Sequence, residues 1–116
     1  MLGVGVPSGK FHQMMARLAD VERSESTNWT SYSVRGKRFC YHWPATRTVG
    51  LKQTLHEQAA LVYERPDVFE VQFTAGGFGW VVVYLDKIDA AELAELVYEA
   101  WRLSAPADLA EAHPLR

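Results

Sequence analysis

FEVQFTAGGFGWVVVYL, residues 69–85, is the stretch that decides the fold, because it predicts two adjacent β-strands joined by a tight turn. Residues 69–74 alternate between apolar and polar, which is typical of a strand with one solvated face. The glycine-rich residues 75–79 predict the turn. Residues 80–85 are nearly all apolar, so the second strand is expected near the centre of a sheet, covered on both faces.

The glycines of this turn, Gly76, Gly77 and Gly79, also invite comparison with a phosphate-binding loop. A loop of that kind lies between a strand and a helix, because the N-terminus of the helix holds the phosphate. Here the glycines lie between two strands, so a hairpin turn is the better interpretation.

Helices are expected on both sides of this hairpin in the sequence. Three segments place apolar residues at helical spacing: residues 8–21, 54–65 and 89–105. The second opens with a capping box formed by Thr54 and Glu57, and the third with a similar pair, Asp89 and Glu92. The order of elements predicts an α+β fold, with an antiparallel sheet of about five strands and two or three flanking helices.

The remaining strands are predicted at residues 29–34, 38–43 and 48–53, the first two joined by a tight turn at Gly36. Alternation along the middle strand separates two faces. Phe39, Tyr41 and Trp43 share one face and are expected in the core. Cys40 and His42 share the other face, and we expect a small buried cysteine beside a half-exposed histidine.

Charge is segregated along the chain. Residues 26–56 carry five cations and no carboxylate, whereas residues 57–116 hold eleven acids and four bases, and the whole chain has a net charge of −2. The five cations are Arg35, Lys37, Arg38, Arg47 and Lys52. Because phosphates pair with such side chains and bases stack on aromatic rings, this segment is a candidate nucleic-acid surface. Five phosphate contacts would lower affinity roughly 500-fold between 50 and 200 mM salt. The alternative is a solvated sheet face whose cations only guard an edge.

Length and composition suggest an ordinary single domain covering residues 1–116, with a loose tail at 1–7 and a frayed segment at 107–116. The single cysteine excludes an intramolecular disulfide and fits a reducing cytoplasm. The N-terminus has no signal-peptide pattern, and the longest apolar run is too short to cross a bilayer. We expect a cytoplasmic monomer with no membrane partner.

Three stretches resemble the MmcQ/YjbR family of small bacterial proteins. They are YSVRGKRF at residues 32–39, VGLK at 49–52 running into the second helix, and GWVVV at 79–83 leading into the acid-rich last helix. Together the stretches span roughly residues 30–110. The resemblance implies a double-wing, CyaY-like fold, and it implies DNA binding, which is the label that this family carries.

No motif for catalysis or for a cofactor is present. The four histidines are scattered, so no metal site is expected, and the pair Cys40 and His42 has no third ligand nearby in sequence. The acids around the last helix are best explained by the helix dipole and a solvated face, with weak cation binding as the alternative. We therefore expect a non-enzymatic binding protein. Nucleic acid is the leading ligand, and the alternative is a small-molecule or protein interaction module.

Overall fold

The computed structural model describes residues 4–115 and contains one antiparallel sheet. Its strands are β1 (Val21–Glu25), β2 (Thr30–Val34), β3 (Lys37–Trp43), β4 (Thr48–Thr54), β5 (Phe69–Ala75) and β6 (Phe78–Tyr84). Their spatial order is β1-β2-β3-β4-β6-β5. The predicted α+β class is confirmed, and β6 lies between β4 and β5, one place from the edge.

The helices are α1 (Ser8–Ala16), α2 (Leu55–Glu64), α3 (Ala90–Ser104) and α4 (Ala107–Ala112), with a 3-10 turn at Leu85–Lys87. Both predicted caps are confirmed. The Thr54 hydroxyl accepts from the backbone N–H of Glu57 at 3.0 Å, and the Asp89 carboxylate accepts from that of Glu92 at 2.8 Å. Each cap satisfies an amide that has no partner inside its helix.

The sheet has six strands, one more than the predicted number of about five. The additional strand is β1, which pairs with β2 from Val21 to Glu25, so the first helix ends at Ala16 and does not reach Val21. An edge strand is held by backbone hydrogen bonds and needs no apolar alternation, which is why the polar sequence VERSE did not predict one.

The described part of the predicted N-terminal tail is anchored. The backbone N–H of Val6 donates to the carbonyl of Leu85 at 2.8 Å, that of Gly5 donates to Ile88 at 2.9 Å, and the Val6 side chain is buried. At the other end, residues 107–112 form α4, and the Tyr98 hydroxyl donates to the carbonyl of His113. Residues 1–3 and 116 lie outside the described residues.

Two hairpin turns set the geometry of the sheet. Gly76 and Gly77 have φ values of 59° and 83°, and Arg35 and Gly36 have values of 50° and 84°. Positive φ at both central residues is the backbone of the two-residue turn that matches strand twist. The predicted turns are therefore confirmed: Gly76 and Gly77 connect β5 to β6, while Gly79 lies within β6.

The helices α1, α2 and α3 cover one face of the sheet, which we call the helix face. The central helix α3 packs on β2, β3 and β4, while α2 packs on β4, β5 and β6. Trp101 of α3 is completely buried in this layer, and its indole N–H donates to the carbonyl of Ala19 at 3.0 Å. The opposite face carries no helix from residues 4–115, and we call it the open face.

The predicted faces of β3 were assigned the wrong way round. Cys40 and His42 lie on the helix face, with exposed fractions of 0% and 2%, whereas Tyr41 and Trp43 are half-buried on the open face. A register shift between β2 and β3 makes Phe39 the extra residue, and Phe39 alone of the three aromatics is fully buried. Alternation identifies two faces but does not say which one the helices cover.

We expect Gly79 in β6 not to tolerate a side chain. A Cβ at this position would lie 2.7 Å from the Cβ of Gln58 in α2. Gln58 is itself fixed, because its amide N–H donates to the carbonyls of Phe73 and Trp80 at 3.1 and 2.9 Å. Gly79→Ala should therefore lower the free energy of unfolding by about 1–3 kcal/mol, measured by urea denaturation.

Gly9 in α1 provides the matched control. Nothing lies within 4 Å of a Cβ added there, and Gly9 is exposed in a regular helix. Gly9→Ala should therefore stabilise the protein by about 0.5–1 kcal/mol. A loss of stability in Gly9→Ala equal to that in Gly79→Ala would show that crowding by Gln58 is not the cause.

Candidate nucleic-acid interface on the open face

A row of four aromatic rings crosses the open face. The Tyr41 and Trp43 rings are stacked, with centroids 5.6 Å apart and planes 13° apart. Tyr41 also contacts Trp80 at 5.6 Å, and Trp80 stacks on Phe73 at 5.2 Å. We call Trp43, Tyr41, Trp80 and Phe73 the aromatic row. It runs from β3 over β4 and β6 to β5.

Gly50 in β4 makes room for the row. It pairs with Tyr41 on one side and Val82 on the other. A Cβ at Gly50 would lie 2.9 Å from the Trp43 ring and still closer to the Gln72 side chain. Without that Cβ the rings can lie against the sheet, which is the usual meaning of a glycine inside a strand.

The row keeps solvent-accessible ring surface. Phe73 is 39% exposed, Tyr41 and Trp43 are half-buried, and Trp80 is buried beneath its neighbours. Beside these rings, the Gln72 Oε1 atom is buried and has no hydrogen-bond partner within residues 4–115. A stacking surface with an unsatisfied acceptor resembles the surfaces that bind planar, hydrogen-bonding ligands.

Two of the five predicted cations are exposed at the start of β3, and one of them, Arg38, lies next to the row. The Arg38 guanidinium lies 5.4 Å from the centroid of the Tyr41 ring, and its Nη1 donates to the Tyr41 hydroxyl at 3.2 Å. Lys37 precedes it in β3 and makes no ion pair with any residue from 4 to 115. Arg38 therefore places positive charge beside Tyr41 in the aromatic row, and Lys37 adds a second exposed charge one residue away.

The other three cations each have a partner within the fold, and one of them, Lys52, is paired across the strands with Trp80. Arg35 pairs with Asp20 at 2.7 Å, and Arg47 pairs with Asp86 at 2.6 Å. The Lys52 ammonium donates to the Ser104 hydroxyl at 2.9 Å and lies 4.1 Å from the Phe78 ring centroid. Burial lowers the pKa of Lys52, and the charge of Lys37 acts in the same direction.

The five cations therefore do not form one open flank. Arg47 follows β3, whereas Lys37 begins it, and seven extended residues separate two points by about 20 Å. The partners Asp20 and Asp86 lie outside residues 26–56, so a segment without carboxylates is still partly neutralised on folding.

The helix face holds a separate polar cluster between α1 and the sheet. His42 Nε2 lies 3.2 Å from the Ser8 hydroxyl, and the His12 ring lies 4.7 Å from the His42 ring. His12 is hydrogen-bonded in turn to the Tyr32 hydroxyl. Burial lowers the pKa of His42 to about 4, and the charges of His12 and Arg23 act in the same direction. The prediction of a half-exposed His42 was wrong, because Phe11 of α1 stacks on its ring.

Fold and surface together define a class: an α+β protein whose single sheet has helices on one face and aromatic side chains on the other. The YjbR family model matches residues 16–103, so the chain belongs to the YjbR family. The resemblance seen in the sequence is thereby confirmed.

Two solved structures share the fold. A Deinococcus radiodurans protein described as a DUF419 domain is 15% identical, with a TM-score of 0.73 over 83% of this chain and 76% of that one. A Pseudomonas syringae protein is 13% identical, with a TM-score of 0.63 over 85% of this chain and 99% of that one. None of the curated proteins matches the chain. Among residues 4–115, every helix is too short or too polar to cross a membrane.

Proposed function

We propose that this YjbR-family protein is a non-enzymatic binding protein whose open face takes single-stranded nucleic acid. The observation that carries the proposal is the aromatic row with Arg38 lying over its Tyr41 ring. Unpaired bases stack on aromatic side chains of a sheet with little dependence on sequence, and adjacent cations hold the backbone.

A single strand suits this surface better than a duplex. The bases of a duplex are already stacked on one another, so the rings of Tyr41 and Trp43 could not stack on the faces of those bases. The half-buried rings of Tyr41 and Trp43 offer stacking surface to unpaired bases. Stacking is expected to supply most of the affinity.

The cations supply a smaller share of binding than the sequence suggested. Lys37 and Arg38 are kept as phosphate contacts, whereas Arg35, Arg47 and Lys52 are left out because each has a partner within the fold. Two contacts to a single strand give a log-log salt slope of about −1.4, so affinity should fall only about sevenfold between 50 and 200 mM salt. Five contacts to a duplex would have given about 500-fold.

The test is fluorescence anisotropy with a labelled twelve-nucleotide single strand, as DNA and as RNA, and with the matching duplex. We expect the single strand to bind more tightly than the duplex, with the shallow salt dependence just given. Trp43→Leu should weaken single-strand binding about tenfold, because one stacked base is lost. Arg38→Gln should weaken binding and flatten the salt slope further.

Arg47→Gln is the matched control, because Arg47 is an exposed arginine of the same segment that is paired with Asp86. It should leave single-strand binding unchanged. Undetectable binding at micromolar protein and 50 mM salt, or a duplex that binds as tightly as the single strand, would reject the proposal. In that case the small-molecule or protein interaction module becomes the better hypothesis, and a thermal-shift screen against metabolites is the next measurement.

A further inference from the structure

A second candidate site lies on the helix face, in a cleft of about 500 Å³ between α2 and α3. Four glutamates line it, Glu57 from α2 and Glu92, Glu95 and Glu99 from α3, and we call it the acidic cleft. Glu92 pairs with Arg65, and Glu99 with Arg102 at 2.6 Å. Glu57 and Glu95 are exposed and pair with no cation from residues 4–115, so the described ion pairs leave two negative charges uncompensated.

An unsatisfied acceptor lies in the wall of the acidic cleft. Gln53 is only 1% exposed, and its amide N–H donates to the carbonyl of Leu96 at 3.2 Å. Its Oε1 has no hydrogen-bond partner among residues 4–115. The orientation of the amide is fixed, because the flipped amide would bring two oxygens together at Leu96. A buried carbonyl oxygen without a partner costs free energy, and a donor entering the cleft would recover it.

The lining of the cleft indicates the kind of cation. Leu61 and Leu96 lie among the carboxylates, so part of the surface is apolar. The two uncompensated glutamates are also separated, because Glu57 belongs to α2 and Glu95 to α3. A methylene chain can lie along leucines while ammonium groups at its ends meet separate carboxylates.

We propose that the acidic cleft binds an aliphatic diamine or polyamine. One ammonium donates to Gln53 Oε1 and the nearby carboxylates, the methylene chain lies on Leu61 and Leu96, and the second ammonium meets the remaining glutamate charge. This site lies on the helix face and is independent of the nucleic-acid proposal, which concerns the open face.

The test is calorimetric titration of the full chain with butane-1,4-diamine and spermidine, at 50 mM salt. Three compounds serve as comparisons. Butylamine has only one ammonium group, butane-1,4-diol has no charge, and magnesium chloride supplies a compact divalent ion. We expect the diamine to bind at least about threefold more tightly than butylamine, the worth of one partly screened charge pair. The diol should not bind, and magnesium should not displace the diamine at equal concentration.

Two variants locate the site. Glu95→Gln changes an exposed carboxylate, leaves folding intact, and should weaken diamine binding about threefold. Gln53→Met removes the buried acceptor and should also weaken it, provided that circular dichroism shows a native fold. Glu111→Gln, an exposed acid of α4, is the control and should change nothing. Unaltered diamine binding in Glu95→Gln, magnesium binding that competes with the diamine, or no diamine binding to the native chain would each overturn the proposal.

Discussion

Trp101→Ala is expected to lower the free energy of unfolding by about 3–5 kcal/mol, the largest single effect among the substitutions considered. Trp101 is completely buried between α3 and the sheet. Its indole N–H donates to the carbonyl of Ala19, which joins α3 to the segment just before β1. Alanine would leave a large cavity and an unpaired carbonyl, both of which destabilise the folded state. The melting temperature should fall on the order of 10–20 °C.

Two further variants separate the causes of this loss. Trp29→Ala removes the same side chain at a position that is 39% exposed, so it should cost far less than Trp101→Ala. Trp101→Phe keeps most of the packing and removes the N–H, so its effect sets an upper limit on the contribution of the hydrogen bond to Ala19. Urea denaturation of the three variants gives the comparison. Similar losses in Trp29→Ala and Trp101→Ala would contradict the central position of Trp101 in the core.

The sequence predicts those elements whose pattern reflects burial. The hairpin at residues 69–85 and the caps at Thr54 and Asp89 follow from local rules, and the structure has each of them. The edge strand β1 escaped prediction because its five residues, VERSE, are mostly polar and exposed. Its pairing depends on the backbone of β2, about which its own side chains carry no information.

The faces of β3 show a different limit. Periodicity separates Tyr41 and Trp43 from Cys40 and His42 but assigns neither pair to the core. Hydrophobicity favours the aromatic pair, and in the structure the aromatic pair lies on the open face. The deciding contact is Phe11 of α1 on the ring of His42, which lies thirty-one positions away in the sequence. The docking of α1 and α3 on β3 determines which face is covered.

The candidate site was predictable in part for the same reason. The basic and aromatic character of residues 26–56 points to β3, where Arg38, Tyr41 and Trp43 do meet. The neutralisation of Arg35 and Arg47 was not predictable, because their partners lie 15 and 39 positions away. The unsatisfied Gln53 in the acidic cleft also leaves no trace in the sequence, since nothing in the pattern of β4 marks which amide lacks a partner.

The stability of the protein should depend on pH through His42. Burial lowers its pKa to about 4 in the folded protein, whereas an ordinary solvent-exposed histidine has a pKa of 6.5. The folded state therefore favours the neutral ring, and the unfolded state takes up the proton first as the pH falls. The contribution of the neutral His42 ring to the free energy of unfolding is fully present above pH 6.5 and is lost as the pH falls from 6.5 to 4. The difference in pKa corresponds to about 3 kcal/mol over that window.

The measurement is the free energy of unfolding at pH 7 and pH 4.5 in the native chain and in His42→Gln. Carboxylates titrate in both proteins, so the difference between the two pH dependences reports on His42 together with its coupling to His12. The native chain should lose about 2 kcal/mol more than the variant over this interval. His56→Gln, at an exposed position of α2, is the control and should keep the pH dependence of the native chain. A pH dependence that is unchanged in His42→Gln would show that the buried ring takes up its proton without opposing the fold, as it could if His12, Tyr32 and Ser8 rearranged to accept the charge.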